Sequence, residues 1–580
     1  MHEFTLWAPK AKRLSVKIGE ATYAMTGPDN RGWWRISVEQ AAPGTDYAFL
    51  IDDDPTPYPD PRSPWQPEGV HGPSRLYDHA AFRWSDSAWQ PVPLGSAIIY
   101  ELHIGTFTRE GTLDAAIAHL DYLAGLRVTH VELMPVAEFP GNHGWGYDGV
   151  ALFAVSHAYG GPDALKRFVD AAHSRGLAVL LDVVYNHFGP VGNYTGKFGP
   201  YLTTKHTTPW GDAVNFEGPG SDQVRRFFAD NALMWMRDYH IDGLRLDAVT
   251  EFVDRSAVHF LEQLSAETAV LSTEVGRPLV LIAESDLNDP RIVRPREDHG
   301  YGIDAQWSDD FHHALFTVLD DNERQGYYID FGSIAQLAKS LTDAYVYDGA
   351  YSVYRSRNHG RPIEGLSGHH FLGYIQNHDQ VGNRAIGDRV AQSAGFDRAK
   401  IAAAIVFAAP FVPMIFQGEE FAASTPFLYF ADHEDPEMAR AVSEGRRREF
   451  AAFGWPPEKI PDPENPETFL RSMLDWKETG EGRHAEMLDW YRRLIHLRRT
   501  TPSLNDGNLD KVQVSFDEEK RWLTIDRGPV RVLCNLGNSA VESLNPGGYP
   551  VALASRKGIE SAGSKVTLPP DSLAILLRAM

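Results

Sequence analysis

Two charges stand two residues apart inside an apolar run, Arg245 and Asp247 in "DGLRLDAV". Strand side chains alternate with period two, so both point to one face. Burying either alone is costly, whereas a neighbouring guanidinium favours the charged form of a carboxylate. A second carboxyl, Glu284, closes the apolar run "PLVLIAES", and a third, Asp379, follows His378 in "FLGYIQNHD". Several carboxylates with a few histidines, one arginine and no metal-binding cluster suit glycoside hydrolysis. One carboxylate attacks the anomeric carbon or supports the cation, and another protonates the leaving oxygen; about 5 Å between them gives retention. Asp247 beside Arg245 fits the first role. Glu284, reached through "PLVLIA", fits the proton-holding role, which needs a drier or negatively charged setting.

Such groups need a scaffold that gathers them from distant parts of the chain. Eight apolar runs recur between residues 97 and 420: "AIIYELHIG", "VTHVELMPV", "LAVLLDVVYNH", "IDGLRLDAV", "PLVLIAES", "IDAQWSDD", "FLGYIQNHD" and "PMIFQGEE". Helical periodicity fills several gaps. "GPDALKRFVDAAHSRG" puts Leu165, Phe168, Val169 and Ala172 on one face, with Gly176 at a C-terminus. "SDQVRRFFADNALMWMRDYH" offers Ser221 as N-cap. The repeat predicts a (β/α)8 TIM barrel with loop insertions over 93–498. In such a barrel the site lies at the C-terminal strand ends, and most runs close on polar groups there: Glu101 and His103; Asp182, Asn186 and His187; Arg245 and Asp247; Glu284; Asp309 and Asp310; His378 and Asp379; Gln417, Glu419 and Glu420. Taken singly each is an ordinary turn residue or helix cap. Their recurrence around one ring points to one mouth.

Flanking the barrel, residues 1–92 alternate in "RLSVKI", "WWRISV" and "DYAFLI" and predict an N-terminal β-sandwich, with "DDDPTPYPDPRSPWQP" an ordered loop. Residues 499–580 alternate in "VQVSF", "RWLTI", "VRVLCNL", "KVTL" and "SLAILL", predicting a C-terminal all-β sandwich. A net charge of −23 over 580 residues argues against nucleic acid or an anionic membrane surface as partner. The best membrane candidate, residues 401–416, is short and broken by Pro410 and Pro413, and reads as a buried helix followed by a buried strand. Cys534 is the single cysteine, and "MHEFTLWAPKAKRLSV" has no uninterrupted apolar core, so a cytoplasmic location is expected. The expected assembly is a monomer or weak homodimer.

The blocks "DVVYNH", "GLRLDAV", "AES" and "QNHD", in that order over some 200 residues, resemble the α-amylase family of glycoside hydrolases. The resemblance implies Asp247 as nucleophile, Glu284 as general acid/base and Asp379 as the third carboxylate, gripping hydroxyls of the distorted sugar. It implies that Tyr147, His187, Arg245 and His378 line the subsite of the attacked glucose, with Asp182 orienting Arg245. Asn186 matches a position that binds calcium in many relatives. The following segment offers few acidic ligands, so no metal and no cofactor is expected.

Further stretches, among them "YELHIGTFTREGTLDAAI", "HTTPWGDAVNFEGPGSDQVRRFF" and "GEEFAASTPFLYFADH", resemble the members that release trehalose from a maltooligosyl chain. The leading sandwich fits them too, as a carbohydrate-binding-module or E-set-like unit. The implied partner is an α-1,4-glucan oligosaccharide with a trehalose end. Trp210, Asp212, Phe427 and Tyr429 are the candidates for recognising that end, since aromatic faces suit sugar rings and carboxylates suit hydroxyls. Branching-type transfer is the rival within the family; "ESDLNDPR" and "STPFLYFADH" argue against it. A relic, non-catalytic glucan binder is disfavoured because all three carboxylates are present. A metal-dependent barrel with a lysine base is disfavoured because no predicted strand end carries a lysine.

Overall fold

The computed structural model describes residues 1–320, 326–452, 455–545 and 547–578. The last two residues of the expected C-terminal unit, Ala579 and Met580, lie outside them. Each of the eight apolar runs becomes a strand: β1 (Ile99–Leu102), β2 (His130–Leu133), β3 (Ala178–Val183), β4 (Gly243–Leu246), β5 (Val280–Ala283), β6 (Ala305–Trp307), β7 (Phe371–Gly373) and β8 (Val412–Phe416). They pair in parallel and in chain order, and β8 returns to β1 to close the ring. Strands covered on both faces must be apolar nearly throughout, which is why these runs are continuous rather than alternating. Ile99, Leu180, Ile282, Leu372, Val412 and Met414 fill the barrel axis. Gly243 faces Val280 across β4 and β5, and a Cβ there would stand 2.5 Å from the Val280 carbonyl oxygen. Glycine thus permits the close approach that sets Arg245 and Asp247 beside Glu284.

Helices Gly161–His173, Ser221–Asp238, Phe260–Val275, Asp309–Leu319 and Phe396–Ala408 surround the ring. The second starts at Ser221 itself, with Gly220 in the left-handed region at its cap (φ 83°) and no side-chain cap bond. The expected Ser221 cap is therefore not formed. Residues 401–416 resolve into the end of one helix and β8, and no helix among the described residues is long and apolar enough to cross a membrane. Two antiparallel ribbons and one helix rise over the C-terminal strand ends: Leu202–Thr208 with Gly211–Val214, Asp348–Ser352 with Arg357–Gly360, and Pro436–Ala452.

The leading strands form two antiparallel sheets, one pairing His2–Trp7 with Trp33–Val38. They lean on the barrel. Trp33 Nε1 donates to Gln223 Oε1 at 2.9 Å, and the Arg62 guanidinium meets Asp230 at 2.8 Å, both on the helix after β3. At the other end, a five-stranded and a three-stranded sheet occupy 513–577. Cys534 is buried there.

Candidate active site

β4 stops at Leu246, and Asp247 opens a tight turn whose next residue, Ala248, adopts φ 40°. Alanine takes that left-handed conformation at a cost. The turn aims the Ala248 N–H at Glu284 Oε2, 2.8 Å away, while the Asp247 N–H donates to the Val183 carbonyl on β3. The strained residue therefore ties the end of β4 to the carboxyl ending β5.

Arg245 is completely buried, with its guanidinium 4.2 Å above the Trp307 ring. Nη1 donates to Asp182 Oδ2 and to Asp247 Oδ1, each at 2.7 Å, and Nη2 lies 2.7 Å from Glu284 Oε2. One cation thus holds three carboxyl groups from three consecutive strands. The second Asp247 oxygen accepts from Asn186 Nδ2 at 2.8 Å. The Asn186 oxygen faces His187 Nδ1 at 2.6 Å, which fixes the tautomer of that ring. Burial raises the Glu284 pKa and the nearby Asp247 charge adds to the rise, while Arg245 opposes it. Glu284 is therefore a carboxyl that keeps its proton longer than usual, beside a carboxylate engaged on both oxygens.

A second hydrogen-bonded line supports the same arginine. The Tyr147 hydroxyl donates to Asp182 Oδ2 at 2.6 Å and lies 2.8 Å from His378 Nε2. The other nitrogen of His378 faces Glu101 Oε1. Burial pushes Glu101 up to about 8 and His378 down to about 4. A protonated Glu101 donating to Nδ1, with Nε2–H donating to Tyr147, satisfies every partner without a net charge on the ring. Asp379 follows at the start of the short helix His378–Gly382, its Oδ1 accepting from Asn383 Nδ2 at 3.0 Å. Burial raises its pKa too.

These groups floor a cleft of about 830 Å³. Tyr147, His187, Asp247, Glu284, His378 and Asp379 line it, and Arg245 lies beneath. Trp210 joins them from its ribbon, 51% exposed, stacked on His187 with centroids 4.7 Å apart. Asp212, on the same ribbon, is exposed and does not join the cleft wall. Tyr429 does join it, whereas Phe427 is fully buried behind Trp145. Part of the polar crown turns away to structural work: Asp310 accepts from the amides of Val346 and Tyr347, Glu419 from Tyr491, and Glu420 from Tyr100 and Tyr122. Sequence reasoning missed Trp145, Tyr327, Tyr328, Asn383 and Arg446, all of which line the cleft. Trp145 had a signal, two residues before Tyr147 in "GWGYDGV". Arg446 had none.

Calcium does not fit at Asn186. Both polar atoms of its side chain are engaged by Asp247 and His187, and among the described residues no cluster of three or more histidine, cysteine or acidic side chains could hold an ion.

A model of the alpha amylase catalytic domain matches residues 76–202. The malto-oligosyltrehalose trehalohydrolase of Rhizobium sp. (strain M-11) is 50% identical over 580 residues, spanning 99% of this chain and 97% of that protein. The chain belongs to the malto-oligosyltrehalose trehalohydrolase family. By contrast, the 1,4-alpha-glucan branching enzyme GlgB of Corynebacterium jeikeium is 27% identical, over 72% of this chain and 60% of its own. A solved structure assigned as an alpha amylase, from Salmonella typhimurium, superposes with a TM-score of 0.91 at 37% identity, covering 100% of this chain and 97% of that one. As a member of the malto-oligosyltrehalose trehalohydrolase family, the chain is a glycosidase built on the α-amylase barrel.

Proposed function

We propose that the chain cleaves the α-1,4 bond joining a maltooligosyl chain to a terminal trehalose, with retention, releasing trehalose and a maltooligosaccharide. The observation that carries this reading is the single Arg245 guanidinium in contact with both Asp247 and Glu284 on the cleft floor. Two carboxyls flanking one guanidinium suit the roughly 5 Å of a retaining pair better than the roughly 6.5–9.5 Å that admits water in an inverting pair.

In the first step Asp247 attacks the anomeric carbon. The glycosidic bond breaks, and the departing trehalose oxygen takes the proton of Glu284. Glu284, now a carboxylate, draws a proton from water as that water attacks the glucosyl ester; the ester bond breaks and Asp247 is regenerated. Asp379 grips hydroxyls of the sugar while its ring flattens. Tyr147 offers its ring face to that sugar, its hydroxyl being engaged with Asp182 and His378. Trp210 extends an aromatic face from the rim, the surface a sugar ring stacks on. The leading sheets brace the barrel through Gln223 and Asp230, and the single buried thiol suits a reducing cytoplasm.

Incubation with maltooligosyltrehalose tests the reading. Free trehalose in amounts equal to the new reducing ends is the expected result. Branched glucan from amylose, with no trehalose, would overturn it in favour of transfer.

A further inference from the structure

Beyond β8 the chain inserts the helix Pro436–Ala452, which returns over the cleft mouth. Phe450 on this helix packs with Ala385, Ile460 and Trp455, so the helix is docked against the segment that follows Asp379. One turn earlier it projects Arg446. That side chain is only 10% exposed, held over the rings of Phe450 (4.4 Å) and Tyr429 (5.2 Å). Its Nη2 donates to the Gly382 carbonyl at 2.5 Å, and Nη1 reaches Asn383 Oδ1 at 3.3 Å. Asn383 passes the contact on, since its Nδ2 donates to Asp379 Oδ1 at 3.0 Å.

The polarity of this chain is dictated by its ends. A carboxylate requires a donor and a guanidinium requires an acceptor, and the Asn383 amide supplies one of each. An aspartate at 383 would set carboxylate against carboxylate, and a leucine would break the line, leaving Arg446 only the Gly382 carbonyl and Glu449. Glu449 contacts Arg446 as well, at 3.3 Å, but from the exposed side, where it adds little.

We propose that Arg446 is a positioning residue: through Asn383 it holds the Asp379 carboxylate in the orientation that the flattened sugar ring needs. Among the described residues, the next side-chain donor to Asp379 is His378 Nε2, 3.8 Å away, so Asn383 is the principal restraint there. Catalysis depends on such restraint. A shift of about 1 Å in a group that binds the transition state costs about 10²-fold in rate. This inference rests on the trehalose-releasing reading above and adds to it the element that orients the third carboxylate.

The test compares the full-length wild type with Arg446→Met, Asn383→Ala, their combination, Arg446→Lys and Asp379→Asn on maltooligosyltrehalose. Arg446→Met and Asn383→Ala should each lower kcat about 10–100-fold with a smaller change in KM. The double variant should be no slower than the slower single variant, because both cut one line of contact. Arg446→Lys, which keeps the charge and one donor, should recover part of the loss. Unchanged kcat in either single variant, or losses that multiply in the double, would overturn the inference. Should Arg446→Met fail to fold, Asn383→Ala, at an exposed position, carries the test alone. An active Asp379→Asn variant would instead defeat the reading of the site itself, which keeps the two failures apart.

Discussion

Arg245→Met replaces a buried cation by an apolar chain of similar length and strands three carboxyls that each lie 2.7 Å from it. Removing one partner of a buried ion pair costs about 3–5 kcal/mol, and three dependent carboxyls place this site at the upper end. The cost must also depend on pH. Burial already raises Glu284 above the ordinary value of about 4.3, and removing Arg245, which opposes that rise, moves it further up. A carboxyl whose folded pKa exceeds its unfolded one binds an extra proton on folding. Its folded state is favoured below the unfolded pKa and loses ground as pH climbs toward the folded value. Each extra proton held on folding weakens stability by about 1.4 kcal/mol per pH unit across that window. Paired thermal scans of wild type and Arg245→Met at pH 5, 6, 7 and 8 measure this. The gap between melting midpoints should widen steadily as pH rises. A gap that stays constant or narrows would refute the idea that one guanidinium neutralises this set of carboxyls.

Glu284→Gln should lower turnover by about 10³-fold or more. In the wild type the alkaline limb of kcat/KM should report loss of the Glu284 proton, above the usual carboxylate range because the pKa is raised. The residual activity of the variant should lack that limb, which a pH–rate profile reveals. Trp210→Ala removes a half-exposed ring stacked on His187. KM should rise several-fold with kcat nearly unchanged, consistent with about 0.5–1.5 kcal/mol for an aromatic contact; steady-state kinetics on maltooligosyltrehalose measure it.

The barrel was legible because strands buried on both faces must be continuously apolar, and most of the runs close on polar groups at one end. Arg245 and Asp247 were legible for a sharper reason: two charges in such a run have no inexpensive alternative to pairing. What escaped notice lacked a local signal. Val541–Leu544 pairs as a strand at the sheet surface, yet "VESL" is short and half polar, with no run to mark it. Arg446 lies in "SEGRRREF" on a helix whose polar composition reads as a solvated face. Only the tertiary fold shows that one of three consecutive arginines turns inward over Phe450 and Tyr429. Asp212 shares a ribbon with Trp210 yet is exposed and does not line the cleft, since neighbours in sequence on a twisted ribbon need not face one cavity. Asp310, Glu419 and Glu420 likewise sit at strand ends but serve backbone amides and tyrosines. A carboxylate's position along a strand does not reveal which neighbour claims it.

Covalent trapping probes directly whether Asp247 and Glu284 act on one glucosidic bond. Glu284→Gln incubated with α-maltosyl fluoride needs no proton for the leaving group and lacks the base for hydrolysis, so the glucosyl ester should accumulate. Mass spectrometry of the digested protein should find the sugar on the peptide containing Asp247. A sugar attached to any other carboxylate, or inverted product formed without an adduct, would contradict it.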